Sequence, residues 1–391
     1  MDALDGVVIL VALAAAVGGY RMGFLARAGS WAGIVAGIYV AARFLPQVLD
    51  ATASSSAGTR LAITVGLLIA GALVGQLLGL FLGSRLSQVL PPGPLRQGDR
   101  LIGAGAGAFG VLVVLWLLVP TLASVNGWPA SQTEGSAIAR FLSDNFPRPP
   151  NTFQALRRLV GQQGFPEVFN GLAPGGSVGT PPAGSPLSAA VVATVAQSTV
   201  KVEGQACDRI QDGSGFAVAP DLVVTNAHVV AGEPAGSTQV LTYAGRVLPA
   251  RVVMFDPNRD VALLAVDNLG DAPLPVVTGA VGDKGDIFGH PEGQDSLAVI
   301  PAQVAQEITA VGSNLYDTAT ISRDVYVLAA HVVPGDSGGA LVDAAGQVIG
   351  VTFATDAAHP DKAYALTSRV LDQALAEPRG YSVSTRGCIN S

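Results

Sequence analysis

The sequence predicts two kinds of structure in one chain: an α-helical membrane bundle of about four transmembrane helices, followed by an all-β domain. Of the 391 residues, 49% are hydrophobic and only 13% are charged, and the apolar excess lies in the first 122 residues. From about residue 191, short runs rich in Val, Ile, Leu and Thr alternate with Gly, Pro and Asp turns, which is typical of β-strands. Residues 222–225 and 247–255 are two of the predicted strands. We therefore assign residues 1–122 to the membrane bundle and residues 191–391 to the all-β domain.

Four apolar runs make up the predicted membrane bundle. Residues 61–83 and 101–119 are long enough to cross a hydrocarbon core of about 30 Å at about 1.5 Å per helical residue. Residues 6–25 and 28–45 are shorter or interrupted by Arg21, so a re-entrant or interfacial hairpin is the alternative for this pair. A cleaved signal peptide is disfavoured, because the basic residues follow the first apolar run instead of preceding it.

The arginines predict how the bundle is oriented. An even number of spans puts both ends of the bundle on the same side of the membrane. Arginines cluster in the first and third connections, at Arg21, Arg27, Arg85, Arg96 and Arg100. By the positive-inside rule these connections are cytoplasmic. The all-β domain is therefore expected on the extracytoplasmic (periplasmic) side of a multi-pass cell-membrane protein, with the lipid bilayer as a partner.

Glycines recur at four-residue spacing in every predicted helix. They are Gly19/Gly23, Gly33/Gly37, Gly71/Gly75/Gly79/Gly83 and Gly103/Gly107. Small residues on one stripe let helix backbones approach closely. We expect packing within one chain, and self-association through these GxxxG helices is the alternative. With residues 19–24, which read Gly-Tyr-Arg-Met-Gly-Phe, the bundle resembles the colicin V production family of small four-helix membrane proteins.

Residues 123–190 are predicted to form an extracytoplasmic helical segment and a flexible linker. Two amphipathic pieces, at 138–146 and 152–169, flank a proline cluster. Residues 173–187 are rich in Gly, Pro and Ser, as flexible tethers are. The helical pieces either lie on the membrane surface or pack on the all-β domain, and the sequence leaves both open.

Three short motifs in the all-β domain contain the residue types of a nucleophilic site. Residues 225–228 read Thr-Asn-Ala-His, residues 260–264 read Asp-Val-Ala-Leu-Leu, and residues 335–339 read Gly-Asp-Ser-Gly-Gly. A serine hydroxyl is a poor nucleophile at neutral pH, an imidazole can accept its proton, and a carboxylate can fix the imidazole tautomer. The order His, Asp, Ser along the chain differs from that of subtilisins and α/β-hydrolases.

The motifs predict a catalytic triad of His228, Asp260 and Ser337. Gly335 allows the backbone to turn so that its N–H and that of Ser337 can point at one spot, as the donors of an oxyanion hole do. Asp256 is the alternative acid. The chemistry of such a site needs no cofactor and no metal ion.

With residues 213–216, which read Gly-Ser-Gly-Phe, these motifs resemble a trypsin-like serine protease domain of the bacterial HtrA/DegP type. The resemblance implies a chymotrypsin-like double β-barrel with six strands in each barrel, a catalytic cleft between them and a short closing helix near residues 369–376. It favours Asp260 over Asp256, because the family motif places an apolar run directly after the acid. Two features depart from the family: Asp336 stands where Asn is usual, and only 54 residues follow Ser337, so no PDZ domain is expected there.

The resemblance also suggests a substrate pocket. It places His331 at the base of the S1 pocket and Thr352, Phe353 and Ala354 in one wall. No carboxylate is placed to attract Arg or Lys, so a medium-sized apolar or polar P1 residue is expected.

Taken together, the two halves resemble the actinobacterial membrane-anchored serine proteases associated with acid resistance. This resemblance implies a serine endopeptidase that acts on proteins of the cell envelope in acid or oxidative stress. Peptides and proteins are the expected substrates, and the net charge of −7 argues against nucleic acid as a partner. The alternative is a catalytically weak scaffold or sensor whose membrane bundle has the main role; a transporter is disfavoured, since no carboxylate lies deep in any predicted span.

The two cysteines, Cys207 and Cys388, lie near the two ends of the all-β domain. A disulfide between them would attach the C-terminal tail to the first barrel, and such a bond persists only in an oxidising compartment. Two free thiols are the alternative.

Overall fold

The computed structural model describes residues 2–51, 57–123, 128–147, 149, 178–207, 209–356 and 358–389. The chain divides into two compact units. We call Met1–Leu122 with Gln132–Gln162 the helical unit, and Ala123–Ser131 with Gln163–Ser391 the β unit. The amphipathic piece predicted at residues 152–169 lies outside the described residues.

The helical unit begins with four long helices. They are α1 (Ala3–Met22), α2 (Phe24–Ala51), α3 (Ala57–Val89) and α4 (Pro94–Ala123). Each contains an apolar stretch of at least 20 residues that is long enough to cross a membrane. The first two stretches are Ala3–Met22 and Phe24–Leu45, so both early apolar runs form helices that are long enough to span a membrane. Two shorter helices follow, α5 (Trp128–Gly135) and α6 (Ala137–Asn145), and α6 matches the amphipathic piece predicted at 138–146.

Glycines bring the long helices into backbone contact. A Cβ built on Gly33 in α2 would lie 2.0 Å from the carbonyl oxygen of Gly75 in α3. A Cβ on Gly19 in α1 would lie 2.0 Å from the carbonyl oxygen of Gly103 in α4. These distances leave no room for a side chain, so the predicted GxxxG stripes pack helix pairs within one chain. Self-association through GxxxG helices stays a prediction.

A single residue, Gly23, separates α1 from α2. Its φ is 85°, in the left-handed region that favours glycine. A Cβ there would lie 2.0 Å from Oδ2 of Asp99 in α4, and Oδ1 of the same carboxylate accepts the backbone N–H of Leu25 at 3.0 Å. A carboxylate at a helix N-terminus satisfies an N–H that has no partner within the helix and complements the helix dipole. The turn predicted to be cytoplasmic is therefore built around an interhelical cap.

Asp5 in the first turn of α1 links the start of the bundle to the chain that follows α4. Its buried carboxylate accepts hydrogen bonds from Ser136 Oγ at 2.6 Å and from the backbone N–H groups of Ala137 and Ile138, both at 3.1 Å. The carboxylate thus caps the start of α6. The beginning of α1 and the chain that follows α4 lie at the same end of the bundle, as an even number of spans requires.

The first half of the β unit is an antiparallel sheet in the order β5-β4-β1-β2-β3-β7-β6. A short helix, α7 (Ala189–Gln197), precedes it. The strands are β1 (Thr199–Ala206), β2 (Arg209–Ala219), β3 (Leu222–Thr225), β4 (Gln239–Thr242), β5 (Val247–Pro249), β6 (Arg251–Asp256) and β7 (Val261–Ala265).

This sheet curls back on itself. The edge strands β5 and β6 are separated in the chain by Ala250 alone, so the two edges must lie close together. The Ala250 N–H bonds to the Thr238 carbonyl oxygen at 2.9 Å, where the strand bends. We predicted one strand over residues 247–255, and the structure breaks it at this bend. The seven described strands thus correspond to the expected six, with one of them split.

The second half is a closed barrel of six strands in the order β10-β13-β12-β11-β8-β9. They are β8 (Lys284–Gly289), β9 (Ala298–Ser313), β10 (Thr320–Ala329), β11 (Ala340–Asp343), β12 (Val348–Thr355) and β13 (Lys362–Thr367). A closing helix, α9 (Ser368–Leu375), follows as expected. Phe216 and Leu263 from the first half share a core with Phe288 and Phe353 from the second. The prediction of a membrane-type helical bundle followed by a chymotrypsin-like double barrel is confirmed.

A disulfide joins Cys207 to Cys388, whose Cα atoms are 6.0 Å apart. Next to it, Gly232 N–H donates to the Thr385 carbonyl oxygen at 3.2 Å, and Val383 N–H donates to the Val252 carbonyl oxygen at 2.8 Å. The C-terminal tail therefore runs along the first barrel and is fixed there by hydrogen bonds and by the disulfide.

Candidate active site

Strand β3 and the single-turn helix α8 (Ala227–Val230) together position His228. Thr225 at the end of β3 pairs with Ala262 near the start of β7. The residue just before β7, Asp260, is therefore close to the turn that follows β3. Asn226 strengthens this link, because its side-chain amide donates to the Asp260 carbonyl oxygen at 2.8 Å.

Asp260 holds His228 with both of its carboxylate oxygens. Oδ2 lies 2.8 Å from His228 Nδ1, and Oδ1 accepts the backbone N–H of His228 at 2.9 Å. The carboxylate is 1% exposed, and Asp260 has a φ of 60°, which is uncommon for a residue other than glycine. A proton on Nδ1 that is held by the carboxylate leaves the lone pair of Nε2 available to act as a base.

Asp256, the alternative acid, is engaged elsewhere. Its Oδ1 accepts the backbone N–H groups of Asn258 at 2.8 Å and Arg259 at 3.2 Å. Its Oδ2 is paired with the Arg259 guanidinium. Because this carboxylate organises the turn between β6 and β7, the geometry favours Asp260 as the partner of His228.

Ser337 lies in the turn between β10 and β11 and is 4% exposed. Its carbonyl oxygen accepts the backbone N–H of Ser214 in β2 at 2.7 Å. A Cβ built on Gly213 would lie 2.6 Å from Val229 Cγ2 and 3.1 Å from the Ser337 carbonyl oxygen. Strand β2 therefore brings the turn of Ser337 close to the helical turn of His228. Among the described residues no hydrogen bond joins Ser337 Oγ to His228, and such catalytic hydrogen bonds often form only with substrate.

Gly335 has a φ of 97° and is closely surrounded. A Cβ there would lie 2.3 Å from the His290 carbonyl oxygen and 2.7 Å from the Glu292 backbone nitrogen. The Pro334 carbonyl oxygen accepts the Glu292 N–H at 2.6 Å. Because a trans peptide group is planar, with its N–H opposite its C=O, the Gly335 N–H points away from Glu292.

Asp336 is a buried carboxyl next to Ser337. Its Oδ2 accepts the Val333 N–H at 3.0 Å, and its buried Oδ1 has no hydrogen-bond partner among the described residues. Burial raises the pKa of Asp336 to about 6, opposed in part by the Val333 N–H and by the charge of His331. A Cβ on Gly289 would lie 2.5 Å from Oδ1, so the absence of a side chain at Gly289 makes room for this carboxyl.

Comparison with known proteins assigns both units. Residues 213–351 match the family described as trypsin-like peptidase domain, and residues 4–147 match the family described as colicin V production protein. The serine protease Rv3671c of Mycobacterium tuberculosis (strain H37Rv) is 35% identical over 404 aligned residues, covering 99% of this chain and 98% of that protein. The chain belongs to this family of HtrA-type, membrane-anchored serine proteases.

A solved structure and a second relative agree with the assignment of the β unit. The crystal structure of the active form of the Rv3671c protease matches with a TM-score of 0.50 at 34% identity, covering 56% of this chain and 99% of that one. A probable periplasmic serine endoprotease, DegP-like, from Chlamydia pneumoniae is 34% identical over 149 residues, which is 36% of this chain and 28% of that protein. The protease shares its catalytic domain with both relatives.

The predicted pocket residues of the protease occupy different environments. Thr352, Phe353 and Ala354 are buried in β12, and the Thr352 carbonyl oxygen accepts the Gly338 N–H at 2.8 Å, directly after Ser337. His331 is different: its side chain is 60% exposed, and its Nδ1 lies 3.2 Å from Asp361 Oδ1. His331 therefore lies at the surface, and its role in substrate binding stays a prediction.

Sequence reasoning missed two parts of the site. Arg323 is buried, with its guanidinium 5.7 Å from the centre of the Phe353 ring and one Nη donating to the Ser313 carbonyl oxygen at 2.6 Å. Burial lowers its pKa, and the negative charges of Asp260 and Asp256 oppose this effect. An isolated arginine in a strand gives no signal in the sequence that would reveal this position.

The second missed part is the loop that includes the 3-10 turn Pro291–Gly293, which lies behind Gly335. Lys201 Nζ anchors it through Asp295 at 2.9 Å, and the buried His290 places Nδ1 3.1 Å from the Gln294 carbonyl oxygen. Burial lowers the pKa of His290, so its neutral form is favoured. No motif marks this loop, because its contacts with Gly335 involve mainly backbone atoms.

Proposed function

We propose that this protease is a serine endopeptidase in which Ser337 attacks the substrate, His228 is the general base and Asp260 orients His228. The observation that carries this proposal is the pair of hydrogen bonds that the buried Asp260 carboxylate accepts from His228, at 2.8 Å from Nδ1 and at 2.9 Å from the backbone N–H. This contact fixes the ring and stabilises the imidazolium that forms when His228 accepts a proton.

The reaction follows from these positions. Ser337 Oγ forms a bond to the peptide carbonyl carbon while its proton moves to His228 Nε2. The resulting oxyanion accepts hydrogen bonds from the N–H groups of Gly335 and Ser337. The imidazolium then gives its proton to the leaving amine as the C–N bond breaks, which leaves an acyl group on Ser337. Water, deprotonated by His228, then attacks the ester carbonyl. The C–Oγ bond breaks as His228 returns the proton to Ser337 Oγ, which releases the carboxylic acid product and restores the enzyme.

The proposed compartment is the extracytoplasmic side of the cell membrane. Three observations support it: the arginine bias of the connections, the Cys207–Cys388 disulfide, and the Asp5 cap, which puts the start of α1 and the chain after α4 at the same end of the bundle. The proposed substrates are proteins of the cell envelope, cleaved during acid or oxidative stress. The description of a DegP-like relative as periplasmic supports this location.

Kinetics of the full-length protein in detergent test the triad. Ser337→Ala and His228→Ala should each lower kcat on a protein substrate by several orders of magnitude, and Asp260→Asn should lower it by about 10⁴-fold. Asp256→Asn is the matched control, and its effect should be small. A fluorophosphonate probe should label the wild type and leave Ser337→Ala unlabelled.

Two results would contradict the proposal. One is full hydrolysis by Ser337→Ala, which would move the nucleophile elsewhere. The other is an inactive Asp256→Asn variant beside a fully active Asp260→Asn variant, which would make Asp256 the acid of the triad. A wild type that is folded and neither hydrolyses nor reacts with the probe would favour the scaffold or sensor alternative.

The substrate class needs a separate experiment in cells. Envelope proteins from a wild-type strain and a Ser337→Ala strain, grown at neutral pH and under mild acid, are compared by mass spectrometry of new N-termini. Termini that depend on Ser337 and increase in acid would support the proposed role. Identical sets of termini in the two strains would exclude it.

A further inference from the structure

Ser214 is a buried residue of β2 that has no role in the proposed mechanism so far. Its N–H donates to the Ser337 carbonyl oxygen at 2.7 Å, and its hydroxyl donates to the Gly335 carbonyl oxygen at 2.7 Å. The same hydroxyl accepts the N–H of His290 at 2.8 Å. A serine hydroxyl has a single proton, so these two partners fix its orientation. Ser214 therefore contacts both residues of the proposed oxyanion hole.

The conformation of Gly335 depends on such contacts. Glycine has several backbone conformations of similar energy, and the φ of 97° at Gly335 is only one of them. On one side of Gly335, the Glu292 N–H holds the Pro334 carbonyl oxygen at 2.6 Å. On the other side, the Ser214 hydroxyl holds the Gly335 carbonyl oxygen. Because each peptide group is planar, fixing both carbonyls fixes the rotations about the Gly335 Cα and hence the direction of its N–H.

We propose that Ser214 is a positioning residue of the oxyanion hole, a role that rests on the proposed function of Ser337 as the nucleophile. Its hydroxyl holds Gly335 in the conformation that offers the Gly335 N–H to the substrate carbonyl. Oxyanion stabilisation is effective because the donors are oriented before the charge develops. Without this restraint, the Gly335 N–H stabilises the transition state less, while substrate binding is nearly unchanged. The loss should therefore lower kcat and leave KM nearly the same.

Ser214→Ala removes this hydroxyl, and Ser198→Ala is its matched control. Ser198 is also buried in the β unit, and its hydroxyl donates to the Ala272 carbonyl oxygen at 2.7 Å. Each variant loses the bonds of a buried serine hydroxyl to backbone carbonyls, so both should lower the melting temperature. Ser214→Ala also leaves the His290 N–H without its acceptor, so its melting temperature should fall further. Ser198→Ala should keep kcat and KM within about twofold of the wild type.

In the full-length protein, Ser214→Ala should lower kcat on a peptide substrate by about 10- to 100-fold and leave KM within about twofold. The inhibition constant of a peptide boronate should rise by a similar factor, since its tetrahedral adduct with Ser337 places an oxygen in the oxyanion hole. Ser214→Cys keeps a side-chain group at this position, larger than the hydroxyl and only a weak donor, so it should also lower kcat. This second variant keeps the test valid where Ser214→Ala does not fold.

The proposal is overturned if Ser214→Ala and Ser214→Cys have the same kcat as Ser198→Ala. It is also overturned if these two variants raise KM and leave boronate binding unchanged. These outcomes differ from a failure of the proposed function. That failure would appear earlier, as a wild type without hydrolysis or as activity that persists in Ser337→Ala. Wild-type activity that requires Ser337, with Ser214→Ala equal to Ser198→Ala, rejects only the role of Ser214.

Discussion

Asp336 is a buried carboxyl that directly precedes Ser337, the proposed nucleophile. One carboxyl oxygen accepts the Val333 N–H, and the other is buried without a partner among the described residues. An unpaired carboxylate in such a place is costly, so burial favours the protonated form. The pKa of about 6, against an ordinary value of 3.8, expresses this preference.

Because the pKa of Asp336 is higher in the folded protein than in the unfolded chain, this group stabilises the fold at low pH. Between pH 3.8 and about 6 the folded protein keeps a proton that the unfolded chain releases. The stabilisation is fully present below pH 3.8 and is lost as the pH rises to about 6. Its size is on the order of 2–3 kcal/mol. The protease should therefore gain stability from this group in acid, which is the direction that the proposed role in acid stress requires.

Asp336→Asn should remove this component, because an amide does not titrate. The difference in the free energy of unfolding between variant and wild type should change by about 2–3 kcal/mol from pH 4 to pH 7, as measured by denaturant unfolding. The matched control is Asp267→Asn, whose side chain is 75% exposed. A constant difference between Asp336→Asn and wild type across this range would contradict the assignment.

The sequence identified candidate residues where a motif is continuous, as at residues 225–228 and 335–339. It did not reveal what supports them. Ser214 belongs to a motif that carried the family resemblance, and yet its bonds to Gly335 and His290 depend on how three separate segments meet. Glu292 acts through its backbone, so its side-chain type gives no information about that contact.

The helix pair α2–α3 is held together by glycines whose positions tolerate no side chain. A Cβ on Gly75 would lie 2.1 Å from the Gly33 carbonyl oxygen, whereas a Cβ on Gly66 in the same helix has nothing within 4 Å. The two glycines lie in the same helix and differ in their contacts. Comparing alanine substitutions at the two positions therefore distinguishes an effect on helix packing from an effect on helix propensity.

Gly75→Ala should force α2 and α3 apart and lower the thermal stability of the full-length protein in mild detergent. Gly66→Ala should leave it unchanged or raise it, since alanine favours a helix over glycine by about 1 kcal/mol. Circular dichroism at the helix band, recorded on heating, measures both. Equal melting temperatures for the two variants would show that this close contact does not stabilise the bundle.

Strand and helix positions were predictable where the pattern is local. Strand β3 lies at the residues expected, and the closing helix α9 begins one residue before its predicted start. The split of the predicted strand at Ala250 was not predictable. Nothing in residues 247–255 shows that its two halves pair with different neighbours, β4 and β7, because that depends on the closure of the sheet.

The proposed orientation of the chain in the membrane rests on two independent features. Asp5 caps α6, so the start of α1 and the chain after α4 lie at one end of the bundle. By the positive-inside rule, the arginines of the first and third connections predict that the opposite end lies in the cytoplasm. Together they predict that α6 and the protease domain that follows are extracytoplasmic.

Reporter fusions test this orientation. A phosphatase that is active only after export should be active when fused after Thr121 and inactive when fused after Leu90. A fluorescent protein that matures only in the cytoplasm should give the opposite pattern at the same two positions, which controls for expression. Exchanging Arg85, Arg96 and Arg100 for Gln should weaken the contrast between the two fusion sites, because in the proposed orientation these charges retain the third connection in the cytoplasm. A phosphatase active after Leu90 and inactive after Thr121 would place the protease domain in the cytoplasm, where the Cys207–Cys388 disulfide would not persist.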